Sequence, residues 1–330
     1  MQLPAAVTGR EVIFGGGLHA AVYAATRVAC GYPKPVVLEK EKTTGGIFAR
    51  LANFRLNSAN GASVASVATP GPTRVMPMSP SDDLNWLPNA PIQVRDMSGM
   101  VEYPYSFDMR DAIQKTLSEY AEVYTDANFT FNLSGTVSVP NDGRTLGTAK
   151  RILFAGGLVV PDRLPKGAAI MSGYDFLRRP VRDLGGKKIA LVGGGDTAAQ
   201  IAEFMLGQGL GGAPTTPPSN IHWYGGESMP LTKDQWMGIY HARFAGIGRH
   251  LPQAGVSTGV IRPIAARGDT LPLGSAAMVN GQVFDLVILA TGFAPAPCPV
   301  PTPNAYAVGG TTVARYSNTT SGGRDKILRR

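Results

Sequence analysis

A chain of 330 residues, 44% of them apolar, is long enough for two ordinary domains and apolar enough to give each a core. Its net charge of +8 favours anionic ligands, but the basic residues are scattered rather than gathered into a stripe, which argues against nucleic acid. The longest apolar run, around 283–290, is far too short to span a bilayer, and the opening residues carry no charged-then-apolar signal, so a cytoplasmic, membrane-free protein is expected. The two cysteines, Cys30 and Cys298, form neither a CxxC pair nor a zinc-ligand spacing, and no metal site is expected.

The first informative stretch runs from Glu11 to Glu39. The apolar run Val12-Ile13-Phe14 predicts a buried strand, Gly15-Gly16-Gly17 a turn, and the Ala-rich segment to about Gly31 a helix; residues 35–38 predict a second strand that closes on Glu39. Gly15, Gly17 and Ala20 fill the three positions of the dinucleotide fingerprint G-x-G-x-x-G/A. The first allows the tight turn, the second the approach of a pyrophosphate, and the third close helix–strand packing. The helix start offers free N–H groups and a favourable dipole to phosphates. Glu39, 24 residues beyond Gly15, has the spacing of an acid that accepts hydrogen bonds from an adenosine ribose. A small-residue contact between helix and strand that binds nothing would leave that acid unexplained.

Gly45-Gly46 suggests a loop folded under a bulky ligand, and 54–61 a short strand entering a polar turn. Residues 68–106 read as loop and short helix, with Trp86, Tyr103, Tyr105 and Phe107 available for packing. A helix is expected over 108–124, with Ser106 as its cap, then hairpin strands about Asn141-Asp142-Gly143 and a strand at 151–157 ending on glycines. Residues 162–180 read as a connector. Then the opening pattern returns: strand 187–192, Gly193-Gly194-Gly195, helix 196–206, with Gly193, Gly195 and Ala198 in the fingerprint positions. Two copies, each between a strand and a helix, are much harder to dismiss than one. A strand at 220–224 runs into Gly225-Gly226-Glu227, where a cofactor-choosing residue is expected. A helix over 230–250, a buried strand over 284–293 ending in Ala-Thr-Gly, and a strand over 304–310 ending on glycines complete the chain. The expected fold class is α/β, with two Rossmann-like doubly wound domains.

This constellation resembles the flavoproteins with two dinucleotide-binding domains, the broad group that holds thioredoxin reductase and the flavin-containing monooxygenases. The resemblance rests on the first glycine turn with Glu39, on Gly45-Gly46, on the second glycine turn, on Ala290-Thr291-Gly292 and on Val308-Gly309-Gly310. It implies FAD on the first fingerprint and NADPH or NADH on the second. The FAD domain would be discontinuous, 1–160 plus 280–330, with the NAD(P)-type domain inserted at 161–279. The cofactor-binding residues implied are Gly15, Gly17, Leu18, His19, Ala20, Glu39, Lys40, Gly46, Ile47 and Asn57 for FAD; Gly193, Gly195, Asp196, Thr197 and Ala198 for the nicotinamide; and Thr291, Gly292, Gly309 and Gly310 at the late strand ends. Gly309-Gly310 stands where the family has Gly-Asp, so one side-chain contact to the flavin is missing.

Without CxxC, disulfide reduction of the thioredoxin-reductase kind is excluded. The monooxygenase motif F-x-G-x-x-x-H-S finds Gly167 and Ser172 in place but Met171 where the histidine belongs; the match at Phe244–His250 reads as coincidence. The family's asparagine beside the flavin, which hydrogen-bonds a C4a-oxygen adduct, falls on Asn57, with Asn60 second; an Asn that merely turns the chain is the alternative. His19 reads as a phosphate-side neighbour, and His222, His241 and His250 as non-catalytic. Gly225-Gly226 lacks the arginine that usually meets a 2′-phosphate, leaving Lys233, Arg243 or Arg249 as substitutes and both nicotinamides open. The leading expectation is an FAD-dependent, NAD(P)H-dependent monooxygenase acting on a small or carrier-bound organic substrate. The alternatives are a reductase passing electrons to an acidic protein such as a ferredoxin, and a substrate-reduced oxidase or dehydrogenase with a vestigial second domain. A homodimer is compatible with all three.

Overall fold

Two five-stranded parallel sheets, each opened by a strand and a glycine turn, organise the chain. The computed structural model describes residues 3–52, 105–126, 128–207, 214–226, 258–296 and 305–307. The first sheet has the order β18-β7-β1-β2-β3, built from β1 (Glu11–Phe14), β2 (Val36–Leu38), β3 (Glu122–Tyr124), β7 (Arg151–Phe154) and β18 (Ala305–Ala307). The second has the order β9-β16-β10-β11-β12, from β9 (Ile170–Ser172), β10 (Lys188–Val192), β11 (Asn220–Tyr224), β12 (Ile261–Ile264) and β16 (Leu286–Leu289). The central strands are short apolar runs because both faces of a parallel sheet are covered.

Four strands of each sheet follow the same order, and the fifth place is filled by the last strand in the chain, β18, in the first sheet and by the earliest strand of its own unit, β9, in the second. Strand one of each unit has strand two on one side and strand four on the other, and strand three lies beyond strand two. The likeness extends to the decoration. A three-stranded antiparallel meander precedes the fourth strand in both units: β4 (Thr130–Phe131), β5 (Thr136–Val139) and β6 (Arg144–Thr148) before β7, then β13 (Thr270–Leu273), β14 (Ala276–Val279) and β15 (Gln282–Phe284) before β16. Helices α1 (Leu18–Ala29) and α2 (Ser106–Tyr120) pack on the first sheet, burying Ala21, Ala24, Ile113 and Leu117. Helices α3 (Gly173–Arg178) and α4 (Asp196–Met205) pack on the second, around Phe176, Ile201, Phe204 and Trp223. The chain passes from unit to unit through β8 (Leu158–Val159) and β17 (Ala294–Pro295), which pair antiparallel in one ribbon.

Four expectations change. The helix expected to run to 124 stops at Tyr120, because Ala121 turns extended and Glu122–Tyr124 pairs with β2 as the sheet's third strand. Ser106 is the first helical residue rather than the cap; Asp108 caps instead, its Oδ2 accepting the Tyr105 N–H at 2.9 Å, while the Ser106 hydroxyl donates to the Ala52 carbonyl at 2.7 Å. The stretch 162–180 is no mere connector, since it supplies β9 and α3. A division at 280 puts β16 with the first unit, but its backbone bonds to β10 and β9 place it in the second; the chain returns to the first sheet only after that strand. The readings at 54–61, 68–104 and 230–250 lie outside the described residues.

Candidate dinucleotide-binding turns

In the first turn, β1 ends at Phe14 and Gly15 takes φ +102°, a conformation side chains rarely adopt. A Cβ there would also lie 2.4 Å from the carbonyl oxygen of Ala155, so only glycine fits. Gly16 is held between its neighbours. Its N–H donates to Oε2 of Glu39 at 2.7 Å, and its carbonyl accepts the Gly45 N–H at 2.8 Å. Gly17 then caps α1 from the extended region, and no side chain caps the helix start. Among the described residues a Cβ on Gly17 would meet only the Cα of Gly46, at 3.6 Å, an ordinary contact. Ala20 is fully buried, which is the close helix–strand contact its fingerprint position requires.

Glu39 is 5% exposed, and each carboxylate oxygen accepts one backbone N–H: Gly16 on Oε2, and Glu41 on Oε1 at 2.9 Å. The acid therefore ties the end of β2 to the glycine turn while each oxygen keeps a lone pair for a further donor. The loop behind it is also fixed, because Gln114 of α2 donates to the Thr44 carbonyl at 2.8 Å and the Thr44 methyl fills the space beside Gly16. Of the other first-turn candidates, Leu18 points into the core, His19 and Ile47 are half-buried, and Lys40 is exposed. Gly46, at φ +58°, lies against Gly17.

The second turn repeats this geometry. Gly193 has φ +131°, and a Cβ on it would sit 2.2 Å from the Ala290 carbonyl oxygen. Gly195 caps α4 at φ −97° and ψ −176°, against φ −96° and ψ −166° for Gly17. Among the described residues no atom lies within 4 Å of a Cβ placed on Gly195, and Ala198 is fully buried like Ala20. The indole of Trp223 donates to the Gly193 carbonyl at 2.6 Å and holds the turn from below. Asp196 opens α4, and a shallow cleft lies at the end of β16, lined by Ser172, Tyr174, Thr197, Ala290, Gly292 and Phe293. It opens where strand order reverses between β10 and β16, the place where ligands bind in open α/β sheets. Thr291 is exposed at the same edge.

The structure thus gathers Gly15, Gly17, Ala20, Glu39 and Gly46 at one sheet edge, and Gly193, Gly195, Thr197, Ala198 and Gly292 at the other. Asn57, Asn60, Gly309 and Gly310 lie outside the described residues, as do Lys233, Arg243, Arg249 and Cys298. Tyr174 and Phe293, edge-to-face at 6.1 Å, were not legible as cleft residues. Ser172 was met only as a motif position, not as a cleft residue; with Asp175 three residues on it forms a capping pair, its Oγ accepting the Asp175 N–H at 3.0 Å and donating to Oδ2 at 2.6 Å. Among the described residues no cluster of His, Cys, Asp and Glu could hold a metal, and no helix is long and apolar enough to cross a membrane.

No family model and no curated protein matches the sequence. Solved structures do match the fold. The chain is similar to the HOCl-induced flavoprotein disulfide reductase RclA of Escherichia coli in its Cu(II) complex, at TM-score 0.55 and 13% identity over 92% of this chain. It spans 66% of that reductase's length. It is also similar to a flavin-containing monooxygenase of Stenotrophomonas maltophilia, at TM-score 0.51 and 17% identity over 94% of this chain and 97% of the other. A third is the lysine monooxygenase NbtG of Nocardia farcinica, at TM-score 0.52 and 16% identity over 86% of this chain and 81% of the other. Identities this low speak of fold alone, and the fold of this chain is the α/β fold that these flavoprotein structures share.

Proposed function

We propose that the protein is an FAD-dependent oxidoreductase reduced by NAD(P)H, and that it works as a monooxygenase on a small or carrier-bound organic substrate. The observation that carries the reading is the pair of glycine turns of like backbone geometry, each, among the described residues, with no side-chain cap at its helix start and room at its second fingerprint glycine. FAD fits the first turn. Gly17 leaves the space a Cβ would take, the first-turn N–H groups of α1 suit a pyrophosphate, and Glu39 keeps acceptor capacity for ribose hydroxyls. When bound, the flavin would supply the redox chemistry, passing electrons from the nicotinamide to oxygen, one atom of which goes to the substrate and the other to water. The protein's part is to hold and orient.

The second turn keeps the positive-φ first glycine, the extended glycine at the helix start and the fully buried alanine of the first turn, though not its acid, which favours a working nicotinamide site over a vestigial one. Monooxygenation is favoured over disulfide reduction by the cysteines. Cys30 is exposed beyond the C-terminal end of α1, the opposite end from the glycine turn, and no CxxC exists. The near-equal length of the Stenotrophomonas monooxygenase points the same way.

The test is to purify the protein, record its visible spectrum with and without added FAD, titrate it anaerobically with NADPH and NADH, and then admit oxygen with candidate substrates. Bleaching by a reduced nicotinamide, then reoxidation with an oxygenated product, supports the reading. A colourless preparation that refuses FAD overturns it. Rapid aerobic consumption of nicotinamide without oxygenated product removes the monooxygenase step and leaves the oxidoreductase.

A further inference from the structure

Because four strands of the two units share one order, the residues at the ends of the first three of these strands have counterparts in the second unit. Gly15 donates its N–H to the carbonyl of Leu38, the last residue of β2, and Gly193 donates to the carbonyl of Tyr224, the last residue of β11. Glu39 donates its N–H to Tyr124 at the end of β3, and Gly225 donates to Ile264 at the end of β12. Glu39 and Gly225 therefore occupy the same place, beside the middle glycine of their turns.

Their chemistry is opposite. In the first unit that corner carries Glu39, Glu41 and Asp126, the last two joined by the Asp126 N–H to the Glu41 carbonyl at 2.9 Å. In the second unit it carries Gly225 and Gly226. The backbone of β12 runs on alongside, with the Gly226 N–H donating to the Ala266 carbonyl at 3.1 Å, which brings Arg267 to the corner as an exposed cation. Asn280 anchors the bend: its Nδ2 donates to the Arg267 carbonyl at 2.7 Å and its Oδ1 accepts the Asp269 N–H at 2.8 Å. Gly225 lies hard against the turn, since a Cβ on Gly194 would be 2.5 Å from its carbonyl oxygen. Asp269 is also exposed on this bend, and Glu227 follows in the sequence outside the described residues.

We propose that the Gly225–Gly226 corner takes the 2′-phosphate of an adenine dinucleotide, with Arg267 as the cation that reads it. The carboxylate that suits a free ribose diol, and would repel a phosphate, is absent from the second corner. An arginine arrives there from the next strand rather than from the end of the second. The inference rests on the nucleotide reading of the second turn and sharpens it to NADPH over NADH.

The experiment is calorimetric titration of the intact chain with 2′,5′-ADP and with 5′-AMP, which carry the distinguishing phosphate or lack it and need no flavin turnover. The wild type is expected to bind 2′,5′-ADP about tenfold or more tightly than 5′-AMP, with the difference shrinking as salt rises. Arg267→Ala and Arg267→Gln are expected to lose most of that difference, to leave 5′-AMP affinity within about twofold, and to keep the melting temperature, the residue being at the surface. Arg267→Lys is expected to recover part of it. Equal affinity for the two probes in the wild type, or an unchanged ratio in the Arg267 variants, overturns the proposal and leaves the nucleotide site standing. Failure of both probes to bind overturns the proposal and the nucleotide reading of the second turn together.

Discussion

The N–H of Gly16 and Oε2 of Glu39 meet at 2.7 Å inside the protein, so the acid that would serve a ribose also holds the turn that would serve the phosphates. Glu39→Ala strands two N–H donors, those of Gly16 and Glu41, each costing about 1–3 kcal/mol if left unsatisfied. Urea unfolding should show the loss, and FAD titration a weakened or absent complex. Glu39→Gln keeps an acceptor and should retain more stability than affinity.

The glycines of the two turns should separate into a folding class and a binding class. Gly15→Ala and Gly193→Ala place a methyl group 2.4 and 2.2 Å from backbone oxygens, and each should cost about 3 kcal/mol or more or prevent soluble expression. Gly17→Ala and Gly195→Ala have room and ordinary φ, and should change stability by about 1 kcal/mol or less. Their effect should appear as lost affinity for FAD and for the nicotinamide respectively. A melt and two titrations on four variants check the whole pattern.

At the far edge of the first sheet, Glu11 on β1 accepts from Nε of Arg27 at 2.7 Å and from its terminal nitrogen, while Arg151 on β7 stands 3.5 Å away. Both partners of the main pair are mostly buried, and Arg27 also stacks on Tyr32 at 3.4 Å. Arg27→Ala should therefore cost about 1–3 kcal/mol, more than an exposed ion pair would. A double-mutant cycle with Glu11→Gln should be markedly non-additive.

His222, under the meander of the second unit, gives the protein an acid-side weakness. Burial depresses its pKa below the usual imidazole value of 6.5; the nearby Lys188 and Arg262 push the same way, and a hydrogen bond with Gln282 opposes them. Its Nδ1 has no partner among the described residues, and Phe284 lies edge-on at 5.2 Å. Above 6.5 the ring is neutral whether the chain is folded or not, so it costs nothing. As pH falls below that value the unfolded chain takes up the proton first, and stability falls until the depressed folded pKa is passed. Urea midpoints measured across this range should slope downward toward acid, and His222→Leu should flatten the slope.

The doubled architecture was legible because its signals are local: strand, three glycines and helix recur with the same spacing, and the structure places Gly15 and Gly193 alike. The third strand of the first sheet was not. Glu122, Val123 and Tyr124 continue the apolar spacing of the helix before them, and only pairing to Val36–Leu38 makes them a strand. Pairing likewise moved Leu286–Leu289 into the second unit, since an apolar run does not say which sheet it joins. Within the site, Glu39 could be read from its distance along the chain, whereas Arg267 could not. Its place beside Gly226, 41 positions away in sequence, follows from the pairing of the neighbouring strand ends.

The ribbon of Leu158–Val159 and Ala294–Pro295 makes the second unit a cassette. The chain leaves the first unit and re-enters it at one spot, where the Ala296 N–H meets the Gly157 carbonyl at 2.9 Å. A single short splice across that bond would excise everything between, and would close the first unit on itself without stretching any of its strands.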